Sequence, residues 1–371
     1  MKILYWTELF WPSIGGVEVL SAELVTALER RGHTIEVVTS NVSPELAAED
    51  VWRGVAIHRF HFRRALTQRD PGLIKEVAAG VTALKARLSP DVIHLNTTDP
   101  GVFFHFMTRK ASPAPTVLTM HAFSSVGRGP ESLEVHALES SDWVIGVSES
   151  MLADARGLVP AIAECSSLIY PALPTPDEAP RAGAAHPPRL VCAGRMLPVK
   201  GFDVAVRAFA RIAPKCRDAC LVLAGDGASR CELEALAAEL DVGHRVDFPG
   251  WTSPDRIPEL IRQSSAVVVP SRWKEPFGLI AAQAGQQGRP VIASRTGGLA
   301  EIVVHGQTGL LVEPDRDVEL SEAMLWMLEH PEEAARMGER GRDRVTAAFG
   351  WSHCVNQHEA IYRRVADRSR P

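Results

Sequence analysis

A carboxylate, an amide and two cations stand where an α/β chain commonly meets a ligand. Glu275 opens the stretch EPFGLIAAQ (275–283), between the apolar run AVVVPS and a helical pattern. An ionised carboxylate only accepts hydrogen bonds, so Glu275 suits neutral hydroxyls, as on a sugar ring, better than a phosphate. Gln283 lies two turns into the helix that follows, where its amide either meets another hydroxyl pair or simply decorates the helix. Arg195 and Lys200 sit in AGRMLPVKGFD (193–203), a loop that opens a helix around Gly201. Two cations beside a helix N-terminus, with glycine allowing close backbone approach, suit a diphosphate. Taken alone, such a pair is more often solvated surface charge.

Two further stretches have the same character. In SRTGGLAEIV (294–303), Gly297 and Gly298 would expose backbone N–H groups at the start of a helical segment, an arrangement shared by anion cradles and plain turns. In FWPSIGGVEVL, Gly15 and Gly16 open a long helix and would present N–H donors at the positive end of its dipole. His121, in TMHAF, falls just past an apolar run. A lone histidine is more often structural than catalytic, and the position after a strand raises the odds of a role.

The elements that must position these residues are short apolar strands alternating with amphipathic helices, the pattern of parallel α/β sheets. KILYW, TIEVVTS, VAIHRF, DVIHLN, TVLTM and DWVIGV read as strands of a first domain, with helices over GGVEVLSAELVTALERRG and GLIKEVAAGVTALKARL. RLVCAG, CLVLAG, RVDFPG, AVVVP, PVIAS and GLLVEP read as strands of a second. Between them LPTPDEAPRAGAAHPP (173–188) is a linker by composition. The expected division is 1–172, a linker at 173–188, 189–350, and a last helical segment, 351–371, crossing back onto the first domain. In open parallel sheets ligands bind outside the carboxyl ends of the strands, so an interdomain cleft lined by the residues above is expected.

Composition narrows the function. At 371 residues the chain is long for one core, and two domains are expected. A formal net charge of −5 gives no general attraction to nucleic acid or to an anionic membrane surface. The six cysteines show no metal-ligand spacing and read as thiols of a reducing compartment. The opening MKILYWTELF reads as a strand rather than a signal peptide, and no apolar run reaches 18 residues, so a cytoplasmic protein is expected. HRFHFRRALTQR (58–69) is locally basic and aromatic, which would suit an anionic or lipid-linked acceptor at a membrane. Residues 1–170 nevertheless carry 15 Lys and Arg against 19 Asp and Glu, so the solvated reading of that segment is favoured.

In order and spacing, the glycine pair near the start, GRMLPVKGFD, LVLAGDG, VDFPGW, PSRWKEPFGLIAAQA and GGLAEIVVHGQTGLLVEP resemble the retaining glycosyltransferases of family 4. That resemblance covers nearly the whole chain and implies the GT-B architecture, two facing Rossmann-like doubly wound domains. It implies a sugar carried from a nucleoside diphosphate, UDP- or GDP-linked, to an acceptor hydroxyl or amine with retention of configuration, without a metal or other cofactor. It further implies that Arg195 and Lys200 hold the donor diphosphate and that Glu275 contacts donor-sugar hydroxyls. Gly298 and Leu299 would meet the distal phosphate or sugar, and His121 would lie near the reacting carbon. Gly15 and Gly16 would lie near phosphate and acceptor, and Phe277, Gly278 and Leu279 would join the donor site. Two departures stand out. Gln283 replaces the second glutamate of the family's Glu-x7-Glu signature, a weaker acceptor for a ribose diol. Pro171 and Ala172 replace an asparagine–glycine turn before the linker. The same residues also suit a pseudo-glycosyltransferase, a sugar-nucleotide epimerase, or an idle nucleotide-sugar binder. The acceptor is open between a small molecule and an envelope glycan or lipid, with loops near 7–14, 40–54 and 122–131 expected to shape its site.

Overall fold

The structure is a computed structural model describing residues 1–123, 129, 131–173 and 187–368. The expected linker falls almost wholly outside the described residues, as do 124–128 and 130 of the third expected acceptor loop. The chain divides into two compact units, Met1–Ala172 with Trp351–Pro371, and Leu173–Gly350.

Unit 1 holds an eight-stranded sheet: β1 (Lys2–Trp6), β2 (Thr34–Ser40), β3 (Glu49–Trp52), β4 (Val55–Phe60), β5 (Val92–Leu95), β6 (Thr116–Met120), β7 (Trp143–Gly146) and β8 (Ser166–Leu168). The order is β3-β4-β2-β1-β5-β6-β7-β8, with only β3 antiparallel to its neighbour. Central strands such as β1, β5 and β6 are near-continuously apolar because helices cover a parallel sheet on both faces. Two strands lie outside the sequence reading. β3 is an exposed edge segment, EDVW, without an apolar run, and β8 has only three residues.

The helices of unit 1 carry their own punctuation. The helix Pro71–Leu88 starts with proline in its first turn, and Asp70 accepts from the N–H groups of Gly72 at 2.8 Å and Leu73 at 3.2 Å. The helix Trp351–Arg368 supplies Cys354, Val355, Ile361, Tyr362 and Val365 to the core that holds Ile3, Tyr5 and Val92. Polar ties reinforce that packing: Glu359 lies 2.9 Å from His33 Nε2, and Tyr362 Oη lies 2.6 Å from His94 Nδ1.

The basic run 58–69 divides between β4 and the helix Phe62–Gln68, with Arg63, Arg64 and Arg69 exposed and His58 and Arg59 tied into the fold. His58 Nε2 is 2.7 Å from Glu36, and Arg59 is buried, bonded to Asp50 at 3.1 Å and to the Trp11 carbonyl at 2.7 Å. Arg63 is paired with Glu8, and Phe60 stacks on the buried Phe62. No described helix is long and apolar enough to cross a membrane.

Four histidines of this unit are held neutral by burial. Burial keeps His94 well below the ordinary imidazole value, burial with Lys85 and Arg109 nearby does the same for His105, and His121 and His358 are pushed down to about 4. The unfolded chain therefore binds protons between about pH 6.5 and 4 that the folded chain refuses, and stability falls as pH falls through that window. The expected loss is on the order of several kcal/mol. Hydrogen exchange should show β1, β5 and β6 opening across this range, with the slope reduced in His358→Gln. Protection unchanged from pH 6.5 to 4.5 would contradict it.

Unit 2 holds β9 (Arg189–Ala193), β10 (Cys220–Ala224), β11 (Val246–Gly250), β12 (Ala266–Val269), β13 (Val291–Ser294) and β14 (Gly309–Val312), all parallel, in the order β11-β10-β9-β12-β13-β14. The strongly amphipathic helix Phe202–Ile212 packs on the helix Asp317–Glu329, burying Phe209 and Met324 over the sheet.

Candidate functional site

Both sheets reverse their winding once. In unit 1 the chain runs outward from β1 to β2 and β4, then resumes on the other side of β1 with β5; in unit 2 the reversal lies between β9 and β12. At such a switch point the loops after two adjacent strands diverge and leave a crevice at their carboxyl ends. The sequence-expected residues lie at these two places.

In unit 1 the crevice is a cavity of about 550 Å³, walled by Thr7, Glu8 and Leu9 after β1, by residues 96–100 after β5, and by His121 after β6. His121 is fixed by a relay. Its Nε2 lies 2.9 Å from Asn96 Oδ1, and Asn96 Nδ2 donates to Ser21 Oγ at 2.8 Å. Because burial keeps the ring neutral, Nε2 carries the proton given to Asn96. Nδ1 is then an acceptor, suited to a hydroxyl.

Gly15 and Gly16 stand at the start of the helix Gly16–Arg30, and Val17 and Glu18 just beyond them line the cavity. A Cβ on Gly15 would fall 2.2 Å from Glu18 Oε2, so a carboxylate already lies against this helix end. Sequence reasoning missed Glu8, Asn96 and Asp99, whose signal was their place directly after β1 and β5. Glu8 is buried and salt-bridged to Arg63, and burial raises its carboxyl above the usual range against the Arg63 hydrogen bond.

In unit 2 the structure joins Lys200 and Glu275. Lys200 Nζ donates to Glu275 Oε1 at 2.6 Å, Ser271 Oγ donates to the same oxygen at 2.7 Å, and Glu275 is only 5% exposed. Among the described residues no hydrogen bond reaches Glu275 Oε2, which leaves it for a ligand hydroxyl. The Lys200 ammonium also lies 5.1 Å from the Trp273 ring centroid. Arg195 follows β9 on the same loop as Lys200. It is exposed, and among the described residues its side chain forms no hydrogen bond or ion pair.

This loop is braced by Arg272, a residue sequence reasoning passed over inside PSRWKEPFG. Its guanidinium grips Asp203 through two bonds of 2.6 Å, Asp315 at 2.6 Å and the Pro198 carbonyl at 2.9 Å. The loops after β9 and β12 are thus tied together from outside the site.

The glycine pair after β13 serves differently from the sequence expectation. The Gly298 N–H is not offered to an anion: it donates to the Glu275 carbonyl at 2.8 Å and so fixes the carboxylate's own backbone. A Cβ on Gly298 would meet Phe277 Cα at 2.6 Å, so only glycine fits under that loop. Gly278, with φ of 105°, starts the helix Leu279–Gln286, and a Cβ there would strike Leu299 at 2.5 Å. Phe277 and Leu299 are buried and Leu279 half-buried. Gln283 is half-buried on the same helix, and among the described residues its amide has no side-chain hydrogen bond.

Comparison with known proteins places this architecture. The family model "Glycosyltransferase Family 4" matches residues 14–175, and "Glycosyl transferases group 1" matches residues 177–344. N-acetyl-alpha-D-glucosaminyl L-malate synthase of Bacillus anthracis is 27% identical, across 95% of this chain and 94% of its own. Sucrose-phosphate synthase from Thermosynechococcus elongatus has a TM-score of 0.85 at 25% identity, with 98% of each chain covered. Anabaena HepE, solved in complex with UDP, shares the fold at a TM-score of 0.79 and 20% identity, covering 98% of this chain and 100% of its own. The fold common to these proteins is GT-B. D-inositol 3-phosphate glycosyltransferase of Nocardia farcinica is 30% identical across 91% of this chain and 82% of its own. With that relative and a family model on either half, the chain belongs to the family 4, group 1 glycosyltransferases.

Proposed function

We propose that the protein transfers a sugar from a UDP- or GDP-linked donor to an acceptor hydroxyl or amine, with retention of configuration and without a metal ion. The observation that carries this reading is the pairing of Lys200 with the buried Glu275 at the switch point of unit 2, with Oε2 of the carboxylate unbonded and the Arg195 side chain on the same loop. The same fold carries UDP in HepE.

Charge builds on the departing phosphate as the bond to the anomeric carbon breaks. Lys200 and Arg195 oppose it with positive charge in place before the reaction begins, the most effective form of electrostatic catalysis. Glu275 holds sugar hydroxyls, and Gln283 accepts from the donor as a neutral group, a softer grip than a carboxylate's. The acceptor's proton passes to the departing phosphate oxygen on the same face, so no side chain acts as general base. His121, neutral and with Nδ1 as acceptor, hydrogen-bonds a hydroxyl near the reacting carbon.

The relatives' names mention malate, glycogen and inositol phosphate, so family membership alone does not fix the acceptor. Release of nucleoside diphosphate from UDP- and GDP-sugars tests the enzyme reading, and NMR of the product's anomeric proton tests retention. Activity should persist in EDTA and fall in Glu275→Ala. Equal, slow release by wild type and Glu275→Ala would support the binder instead, while loss in EDTA or an inverted product would remove the corresponding part of the mechanism.

A further inference from the structure

We propose that the unit 1 cavity seats an acceptor ring bearing an ammonium group, with Glu8, Glu18 and Asp99 as its counter-charges. The inference rests on the reading above, in which unit 1 supplies the acceptor side of the transfer. A volume of about 550 Å³ is within the range that holds a small ligand.

The charge of the lining is one-sided. Among the described lining residues, the carboxylates of Glu8, Glu18 and Asp99 face it against the guanidinium of Arg63. That guanidinium is already paired with Glu8 and its side chain is 60% exposed. His121 adds no positive charge near neutrality, because burial keeps its imidazole unprotonated. At the helix start, where a phosphate would otherwise dock, the Glu18 carboxylate lies against Gly15.

Glu8 supplies an independent observation. It is 6% exposed, and its Oε2 is buried without a hydrogen-bond partner among the described residues. A desolvated carboxylate oxygen with no donor is unfavourable, and a cation seated beside Glu8 would relieve that electrostatically. Asp99, held by the Thr97 hydroxyl at 2.5 Å, faces the same space from the β5 side. An anionic acceptor would meet like charge from both sides of the cavity. A neutral polyol would leave the excess negative charge uncompensated.

In the transfer an acceptor hydroxyl forms the new bond to the anomeric carbon as the bond from that carbon to the phosphate oxygen breaks. The hydroxyl proton leaves on that phosphate oxygen. The ammonium keeps its own proton throughout and serves only as the handle that orients the ring.

Three compounds with the same six-membered carbon ring separate the possibilities: 2-deoxystreptamine (cationic), myo-inositol (neutral) and inositol monophosphate (anionic). Calorimetric titration of the whole chain should give 2-deoxystreptamine at least tenfold tighter binding than myo-inositol, with no binding of the monophosphate. Asp99→Asn and Glu18→Gln should each weaken 2-deoxystreptamine threefold or more while leaving UDP and GDP binding unchanged, which also shows that the variants fold. Equal affinity for the three rings, preference for the monophosphate, binding of none, or variants that bind like wild type would each overturn the proposal. If the ring selectivity holds but neither UDP nor GDP binds, the donor assignment falls and the cationic site stands.

Discussion

Lys200→Ala lowers kcat for sugar transfer by about 10²- to 10³-fold, the loss typical of removing one preorganised group that faces developing charge. The effect falls mainly on kcat because the charge that Lys200 opposes is larger in the transition state than in the bound donor. Thermal stability changes little by comparison. The Lys200 side chain is 27% exposed, and Ser271 still donates to Glu275 when the ammonium is gone. Steady-state kinetics with a saturating donor, alongside a melting curve, separates the two effects. A kcat within threefold of wild type would mean that Lys200 does not face the leaving group.

Gly297→Ala lowers transfer about 10²-fold while leaving the secondary structure intact. Gly297 has φ of 50°, and a Cβ there would lie 2.1 Å from the Glu275 carbonyl oxygen and 2.8 Å from its nitrogen. No flexible side chain can yield at that contact, so the Glu275 backbone must move and its carboxylate loses register with Lys200 and Ser271. Displacement of about 1 Å in a positioned group lowers a rate on the order of 10²-fold. Gly288→Ala is the matched control, since Gly288 has φ of 66° and open space around the added carbon. It carries only the left-handed backbone penalty of about 1–2 kcal/mol and keeps kcat near wild type. Circular dichroism, kcat and nucleotide affinity measured for both variants decide the matter. Equal kcat in the two would show that the fit beneath Glu275 does not matter to the reaction.

How far the fold could be read in the sequence follows from what each element buries. β1, β5 and β9 are covered on both faces and write themselves as apolar runs, whereas β3 is an exposed edge whose residues EDVW carry no such mark. The strand ends were legible because ligands gather there in any doubly wound sheet, and Lys200 and Glu275 do meet at the switch point although 75 residues separate them. Arg272 was not legible. It touches no proposed ligand position, and its clamp on Asp203 and Asp315 depends on two loops that only the fold brings together. The Gly298 N–H was misjudged for the same reason. A glycine pair states that the backbone comes close to something, and here that something is the carbonyl of Glu275. Glu8 and Asp99 lie 91 positions apart in the chain, and the one-sided charge they share appears only once β1 and β5 are neighbours.

The helix Trp351–Arg368 has a consequence for how the chain comes to be folded. Unit 1 is assembled from two separated stretches, and Tyr362, fully buried beside Ile3 and Tyr5, is translated only after the whole of unit 2. On the ribosome, Leu173–Gly350 can therefore finish packing while the amino-terminal sheet still lacks part of its cover. During that interval Tyr5, Leu24 and Ile145 present an apolar face to the nascent chain's surroundings. The order of maturation in synthesis is thus the reverse of the order in sequence, and chaperone demand should concentrate on the half of the protein made first.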